Sequence, residues 1–428
     1  MQFDYFDAQV LHRAWEVYGS PLYVYDFAQI EQQFNKLERC LPSNFRLHYA
    51  LKANANLSIC RRLAQMGAAA EVSSLGELIT ALKVGFSVAD IVFTGPGKSR
   101  HELLAALEKG IGLVVVESVS EARRLNELAV QQSIIQPILL RVNPAFRTAN
   151  SCDVGVDGTT CDTLKPIQMN GQGASKFGVD EESLDSVISA LQSLTNLHLQ
   201  GIHVFTESNV LDYRQLIDAW LNTAEIADRL RQGGVPIEIL DFGGGIGIAY
   251  NAVDSEFDTQ AFGQELKLRF TDVPKPYRCI LEMGRYLVGE AGYYLAEVLD
   301  VKESKGQRFV ILHGGIHNLY RTPAMQNASK YLQVLGKENS STQPATLAGQ
   351  LPTPVDVLVR GVELPTDIAI SDIVAIRNCG AYGFNHSLTN FALHPYPAEV
   401  AYINGELVLI RDRGSYEDFF RHQRLVEV

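Results

Sequence analysis

The 428-residue chain is 46% hydrophobic and 20% charged, the balance of a folded protein, and it is too long for one ordinary core, so two domains are expected. A formal charge of −12, a pI near 5.4 and the lack of any lysine or arginine run argue against a nucleic-acid or anionic-membrane partner. The opening MQFDYFDAQV lacks the basic and apolar regions of a signal peptide, and no apolar run reaches membrane-spanning length, so a cytoplasmic protein is expected.

Taken in order, SPLYVY (20–25) predicts a strand opened by Pro21, followed by a helix over 27–38. One rhythm then repeats: short apolar strand, small or polar turn, amphipathic helix. Strands are predicted at 45–51, 69–72, 91–94, 112–116, 137–142, 197–204, 237–242 and 279–282, with helices at 75–84, 100–108, 120–132, 181–194, 213–232 and 259–270. Eight such alternations in about 240 residues predict a parallel (β/α)8 barrel of TIM type. A doubly wound open sheet shares the rhythm. The barrel is preferred because the polar and glycine-rich residues follow the strands, on the face where barrel enzymes build their sites. The connection 143–178 is long, aperiodic and rich in Gly, Asn, Thr and Asp, as functional loops are.

Beyond Glu282 the pattern changes to period two. Runs at 293–301 and 308–312 flank Ser304-Lys305-Gly306, and runs at 398–403 and 406–410 flank Asn404-Gly405, both hairpin signals. Residues 28–276 are therefore assigned to the barrel, and 1–27 with 277–428 to a β-sandwich or β-barrel domain completed by the N-terminal strand. The polar stretch 336–350 is expected to be a mobile surface loop.

Three places carry chemistry. Lys52 ends an apolar strand in LHYALKANAN, where partial desolvation leaves more free amine, as a Schiff-base lysine requires; a lysine that merely solvates its end is the alternative. Asp241-Phe-Gly-Gly-Gly-Ile-Gly247 is not the dinucleotide G-x-G-x-x-G, because 248 is Ile248, but four glycines in five positions let backbone N–H groups approach a phosphate. Glu282-Met-Gly-Arg285 closes the last barrel strand and brings in a carboxylate and a guanidinium. Together they form a set for pyridoxal phosphate: amine for the aldehyde, N–H cradle for the phosphate, carboxylate for the pyridine nitrogen. Cys40, Cys60, Cys152, Cys161, Cys279 and Cys379 include no C-x-x-C pair, and HGGIH (313–317) lacks the H-E-x-x-H glutamate, so neither disulfide nor metal is expected.

With these residues assembled, the chain resembles the pyridoxal-phosphate decarboxylases with an alanine-racemase-like barrel, which include diaminopimelate and ornithine decarboxylases. The resemblance runs through SPLYVYD, YALKAN, EVSSLGEL, FTGPGKS, LRVNP, SKFGV, FGGGIG, EMGRYLVGEAG and GAYG. PSNFRLHYALKAN, AGYYLAEVLDVKESKG, GQLPTPVDVL and GAYGFNHSLTNFALHPYP look most like the branch serving siderophore or antibiotic pathways. The resemblance implies that Lys52 binds the aldehyde, that Ser208, Gly244, Gly245, Gly247, Arg285 and Tyr382 surround the phosphate, and that Gly284 also binds the cofactor. It further implies Glu282 at the pyridine nitrogen, and Glu71, Arg141, His203 and Phe205 around the ring. An acidic residue at 282 favours decarboxylation, since racemases of this fold look different in placing arginine there. Lys52, Glu282, Asp356 and Tyr382 are the expected catalytic residues, Arg321 and His313 the expected substrate contacts, and a homodimer with shared active sites the expected assembly, acting on a small amino-acid-type substrate.

Three positions depart from the family pattern. Phe205 stands where the family has a ring-stacking histidine, Glu207 where it has glycine, and Pro352 where it has a proton-donating cysteine. They leave open a pyridoxal-phosphate enzyme with an altered outcome (a racemase, a deaminating or an oxygen-using enzyme) and a non-catalytic paralogue.

Overall fold

The computed structural model describes residues 7–145, 175–250, 254–271, 276–320 and 332–426. The chain divides into two compact units, one of Gln33–Ile248 with Glu256–Tyr286 and the other of Met1–Gln32, Ala249–Ser255 and Leu287–Val428.

Strand β1 (Leu22–Asp26) belongs to the second unit. The first unit contains β2 (Phe45–Ala50), β3 (Ala69–Val72), β4 (Ile91–Phe93), β5 (Leu113–Val116), β6 (Gln136–Asn143), the short β7 (Val179–Asp180), β8 (Leu197–His203), β9 (Ile239–Asp241) and β10 (Arg278–Met283). All but β7 pair in parallel around a closed ring, with β10 returning to β2 and β5 joining β6, which makes the expected eight-stranded barrel. Strands buried on both faces need near-continuous apolar runs, and these have them. At alternate positions of β4, β5, β6, β9 and β10, the side chains of Val92, Leu113, Val115, Leu139, Ile239 and Ile280 cluster and fill the lumen. β10 lies beyond the expected 276/277 boundary, yet it is hydrogen-bonded in the barrel sheet between β2 and β9.

The helices between the strands start and stop where the chain supplies caps. Ser74, Ser99 and Ser118 accept from the third backbone N–H of their helices, and Gly85 and Gly110 close the first two of these in the left-handed region. The 20-residue helix Tyr213–Gln232 is pinned by Trp220, which stacks on Phe242 at 4.7 Å and meets Phe262 edge-on at 5.5 Å.

The second unit holds β11 (Gly292–Ser304), β12 (Gln307–Leu312), β13 (Leu332–Val334), β14 (Thr342–Ala348), β15 (Val357–Pro365), β16 (Ile373–Ile376), β17 (Ala398–Ile403) and β18 (Glu406–Arg411). β1 completes this sheet as expected, antiparallel to β11 and parallel to β17. Both hairpins form, and Asn404 and Gly405 take the positive φ that a primed two-residue turn requires.

Two features differ from expectation. Residues 342–348 are not a mobile loop but strand β14, hydrogen-bonded to β12 on one side and β15 on the other, with Leu347 fully buried. Pro344 and the polar flanks conceal a strand that tertiary pairing supplies. A helix over Ala8–Tyr18, capped by the Asp7 side chain, sets Leu11 and Ala14 into the core with Leu22, Val24 and Leu295. Among the described residues no helix is long and apolar enough to cross a membrane.

Trp220 is 2% exposed. Trp220→Ala is expected to destabilise the barrel by about 3–5 kcal/mol, the range for deleting a buried aromatic, as measured by denaturant unfolding followed through the barrel's signal.

Candidate active site

The polar residues of the barrel gather at the C-terminal ends of its strands. After β2 the chain turns through a single 3-10 turn, Leu51–Ala53, that carries Lys52. The asparagines of KANAN build this turn: Asn54 accepts from Tyr49 through its carbonyl and from the Asn56 N–H through its side chain, and Asn56 caps the next helix. Gly284, just past β10, lets the strand end approach, since a Cβ there would lie 2.7 Å from that of Ala53.

Lys52 Nζ lies 3.1 Å from Glu71 Oε2; the lysine side chain is 40% exposed and the glutamate fully buried. Thr94, which follows β4, donates to the other oxygen of Glu71. Burial pushes the Glu71 carboxyl up and the Lys52 ammonium pulls it down; burial prevails, and the group sits at about 7.

Glu282 on β10, His203 on β8 and Asp241 on β9 form a buried floor, their ligand atoms within 4.8 Å of one another. His203 Nε2 is 3.6 Å from Glu282 Oε2. Burial is the largest influence on all three: it pushes Asp241 up and His203 down, and it works against the ionised form of Glu282. At Glu282 the facing His203, Lys52 and His48 outweigh it, so this carboxyl ends below its ordinary value. The nearby negative charge of Glu282 raises Asp241 further, so the pair favours a single negative charge with Glu282 the stronger acid. His48, beside Glu282 in the strand register, is buried and held neutral at about 4. Beyond these contacts with one another, Glu282 Oε1, Asp241 Oδ2 and the ring nitrogens of His203 meet no other hydrogen-bond partner among the described residues.

Asp241 Oδ1 accepts from Gly243 N at 2.9 Å and starts the glycine turn. Gly243 and Gly245 have φ of +61° and +124°, and a Cβ on Gly244 would lie 2.5 Å from the Glu282 carbonyl, so side chains are excluded here on steric grounds. Phe205 packs over this turn, within 3.0 Å of where a Cβ on Gly243 would stand. Gly247 N–H donates to Val210 O at 2.9 Å and so closes the turn from within. Arg285 Nη2 reaches Ser208 Oγ at 3.5 Å, and Glu207 is buried.

A supporting layer stands behind these residues. Arg141 on β6 pairs with Glu117 at 3.1 Å and lies 4.2 Å over the Phe177 ring. The other Glu117 oxygen accepts from Gly178 N, so one carboxylate holds both Arg141 and the described end of the 143–178 connection. Lys98 pairs with Glu121 at 2.8 Å and donates to Gly95 O and Val115 O.

The fit to a phosphorylated pyridine aldehyde is good: an amine at the mouth, a side-chain-free turn, and a buried carboxyl held towards its ionised form. Over residues 27–289 the chain matches the family described as pyridoxal-dependent decarboxylase, pyridoxal binding domain. The chain belongs to the pyridoxal-dependent decarboxylases. It is a pyridoxal-phosphate-dependent amino-acid decarboxylase, a carboxy-lyase. Relatives of this decarboxylase include the L-glutamyl-[BtrI acyl-carrier protein] decarboxylase of Niallia circulans, 32% identical over 96% of this chain and 95% of that protein. A second is the 2-[(L-alanin-3-ylcarbamoyl)methyl]-2-hydroxybutanedioate decarboxylase of Staphylococcus aureus, 32% identical over 88% and 92%. The diaminopimelate decarboxylase of Methanothermobacter thermautotrophicus is 33% identical over 95% and 92%. The solved diaminopimelate decarboxylase of Helicobacter pylori with L-lysine superposes with a TM-score of 0.85 at 28% identity, covering 96% of this chain and 98% of that one.

The barrel of this decarboxylase thus brings together Lys52, Glu71, Arg141, His203, Phe205, Ser208, Gly244, Gly245, Gly247, Glu282, Gly284 and Arg285. The other three described candidates lie on the second unit. Asp356 is 3% exposed and both its oxygens accept backbone N–H groups, from Ile316 and Leu351 at 2.8 Å each, so it ties two loops together. Tyr382 adopts a left-handed φ of +57°. His313 is half-buried, and burial lowers its pKa. Arg321, Cys152 and Cys161 lie outside the described residues; Cys40, Cys60, Cys279 and Cys379 form no disulfide among the described residues.

Thr94, Glu117, Asp241 and His48 were missed as site residues. Each stands at or near the C-terminal end of a strand, in the same position as Lys52 and Glu282, and that shared position was the available signal. A cavity of about 610 Å³ opens at the opposite end of the barrel, lined by strand starts including Arg46, Asp90 and Arg278, away from the glycine turn.

Burial and the neighbouring Glu282 both favour the protonated form of Asp241, so Asp241→Asn should keep its shape and its contact with Gly243. Cofactor affinity, measured by equilibrium dialysis, is expected within about threefold of wild type, whereas Asp241→Ala strands a buried N–H at a cost of about 1–3 kcal/mol.

Proposed function

We propose that this enzyme removes the α-carboxylate of an amino acid, or of an amino-acid unit within a larger intermediate, in a specialised pathway of the siderophore or antibiotic kind. The observation that carries the reading is the buried carboxyl of Glu282, which facing nitrogen groups hold towards its ionised form, set beside the glycine turn and Lys52 on one barrel face. The substrate class is supported by two relatives whose names give extended amino-acid conjugates as substrates, one carried on a protein and one joined to a hydroxybutanedioate. The proposal includes a cytoplasmic homodimer with shared active sites.

Pyridoxal phosphate, when bound, supplies a sink for the electron pair that departing CO₂ leaves behind. Glu282 would accept a hydrogen bond from the cofactor's ring nitrogen, and its lowered proton affinity would leave the proton on that nitrogen. Gly244, Gly245, Ser208 and Arg285 hold the phosphate, and Gly247 shapes the turn that presents them. Phe205 covers the ring by apolar contact and leaves its charge to Glu282. Lys52 binds the aldehyde and yields it to the substrate amine. Arg141, fixed by Glu117, would stand near the cofactor ring.

Two measurements test the reading. Incubation with basic, acidic and citrate-conjugated amino acids should release CO₂ from at least one of them, and a racemised or deaminated product without CO₂ would overturn it. Glu282→Ala should lower kcat by about 100-fold or more while changing cofactor affinity by less than about tenfold, because the lost interaction matters most in the transition state. Undiminished turnover would remove the electron-sink argument.

A further inference from the structure

We propose that the proton returned to the substrate's α-carbon comes from Lys52 and that Glu71 resupplies it, an assignment that rests on the decarboxylase reading. Each turnover breaks a C–COO⁻ bond, leaves its electron pair with the organic fragment and consumes one proton in a new C–H bond. The barrel face restricts which group supplies that proton. Arg141 is held by Glu117, and a guanidinium does not give up its proton. Lys98 is fully engaged by Glu121, Gly95 O and Val115 O. Phe205 has no ionisable proton, and neither has Pro352 on the second unit.

Lys52 has both the proton and the position. It and the substrate amine bond in turn to the same aldehyde carbon, so the displaced Nζ is released next to the substrate's α-carbon. In the step itself the Lys52 N–H bond would break, and its proton would form the new C–H bond with the electron pair that the departing CO₂ leaves to the α-carbon. Lys52 is left a neutral amine.

Glu71 completes the cycle. Its Oε2 lies 3.1 Å from Nζ, within range of direct proton transfer, and Thr94 fixes the other oxygen so that Oε2 faces the lysine. The charged groups around it are Lys52 from the turn after β2, Glu282 from β10 and Glu77 from the helix Leu75–Val84. Full burial beside those two carboxylates favours the protonated acid, which reloads Lys52. Lys52 then hands one proton back to Glu71 and takes its replacement from the solvent that reaches its partly exposed side chain, so both groups regain their starting protons.

The test uses Glu71→Gln and Glu71→Asp with two readouts. In the first, the cofactor-free protein takes up pyridoxal phosphate and the visible absorbance is followed against pH. Losing the carboxylate should move the midpoint of Glu71→Gln about one unit to lower pH, and Glu71→Asp should recover most of that shift. In the second, the substrate found by CO₂ release is turned over in D₂O. Wild type should place one deuterium on a single face of the α-carbon, whereas Glu71→Gln should return the proton about 100-fold more slowly and on both faces, as water takes over. An unmoved midpoint, or single-faced deuteration at the wild-type rate in Glu71→Gln, overturns the assignment. Failure of wild type to release CO₂ overturns the function and this step together, and an uptake midpoint that still shifts identifies that failure as one of the reaction and not of the Lys52–Glu71 pair.

Discussion

The contact of Lys52 Nζ with Glu71 Oε2 is the constraint on which the site depends. A buried carboxylate without a partner is costly, and a lysine beside one is costly to move away. The turn Leu51–Ala53 satisfies both by presenting Nζ at the barrel mouth within 3.1 Å of Glu71. Because Lys52 stays 40% exposed, the amine remains available to an aldehyde while its position is fixed from below. The glycine turn and Glu282 are useful only in relation to that amine.

Charge on the floor is limited in the same way. Three carboxyl groups, Glu71, Asp241 and Glu282, share the buried end of one barrel, and they cannot all be ionised. Burial pushes Glu71 and Asp241 up, while Glu282 alone is held down by facing nitrogen groups. The result favours one anion where a ring nitrogen would need it and two acids that can hold protons. Behind them, the Lys98–Glu121 and Arg141–Glu117 pairs stiffen the strand ends, so the front residues are held by ionic contacts as well as by packing.

Much of this was legible in the amino-acid sequence, for a physical reason. A strand buried on both faces must be apolar, so a lysine at 52 or a glutamate at 282 stands out, and a run of glycines cannot be accidental where a Cβ would strike the Glu282 carbonyl. Residues whose role is relational were not legible. Glu117 looks like the acidic start of the next helix until the fold brings Arg141 and Gly178 to it. Asp241 looks like a turn former until Glu282 is found beside it. Strand β14 was hidden because Pro344 and its polar neighbours carry loop chemistry, and only pairing with β12 and β15 overrides it. Asp356, expected to be catalytic, spends both oxygens on backbone N–H groups, a commitment that no spacing rule reveals.

The departures at Phe205, Glu207 and Pro352 remove a stacking imidazole, a small residue and a thiol from the family pattern, and the barrel face retains the groups that do not depend on them. The account stands on the identity of one amine. Reduction of the cofactor-loaded enzyme with borohydride, followed by proteolysis and mass spectrometry of the peptides, reads that identity directly. A pyridoxyl phosphate mass on the peptide containing Lys52 and on no other is the expected result. The same mass on Lys98 or any other lysine, with the Lys52 peptide unmodified, would contradict it.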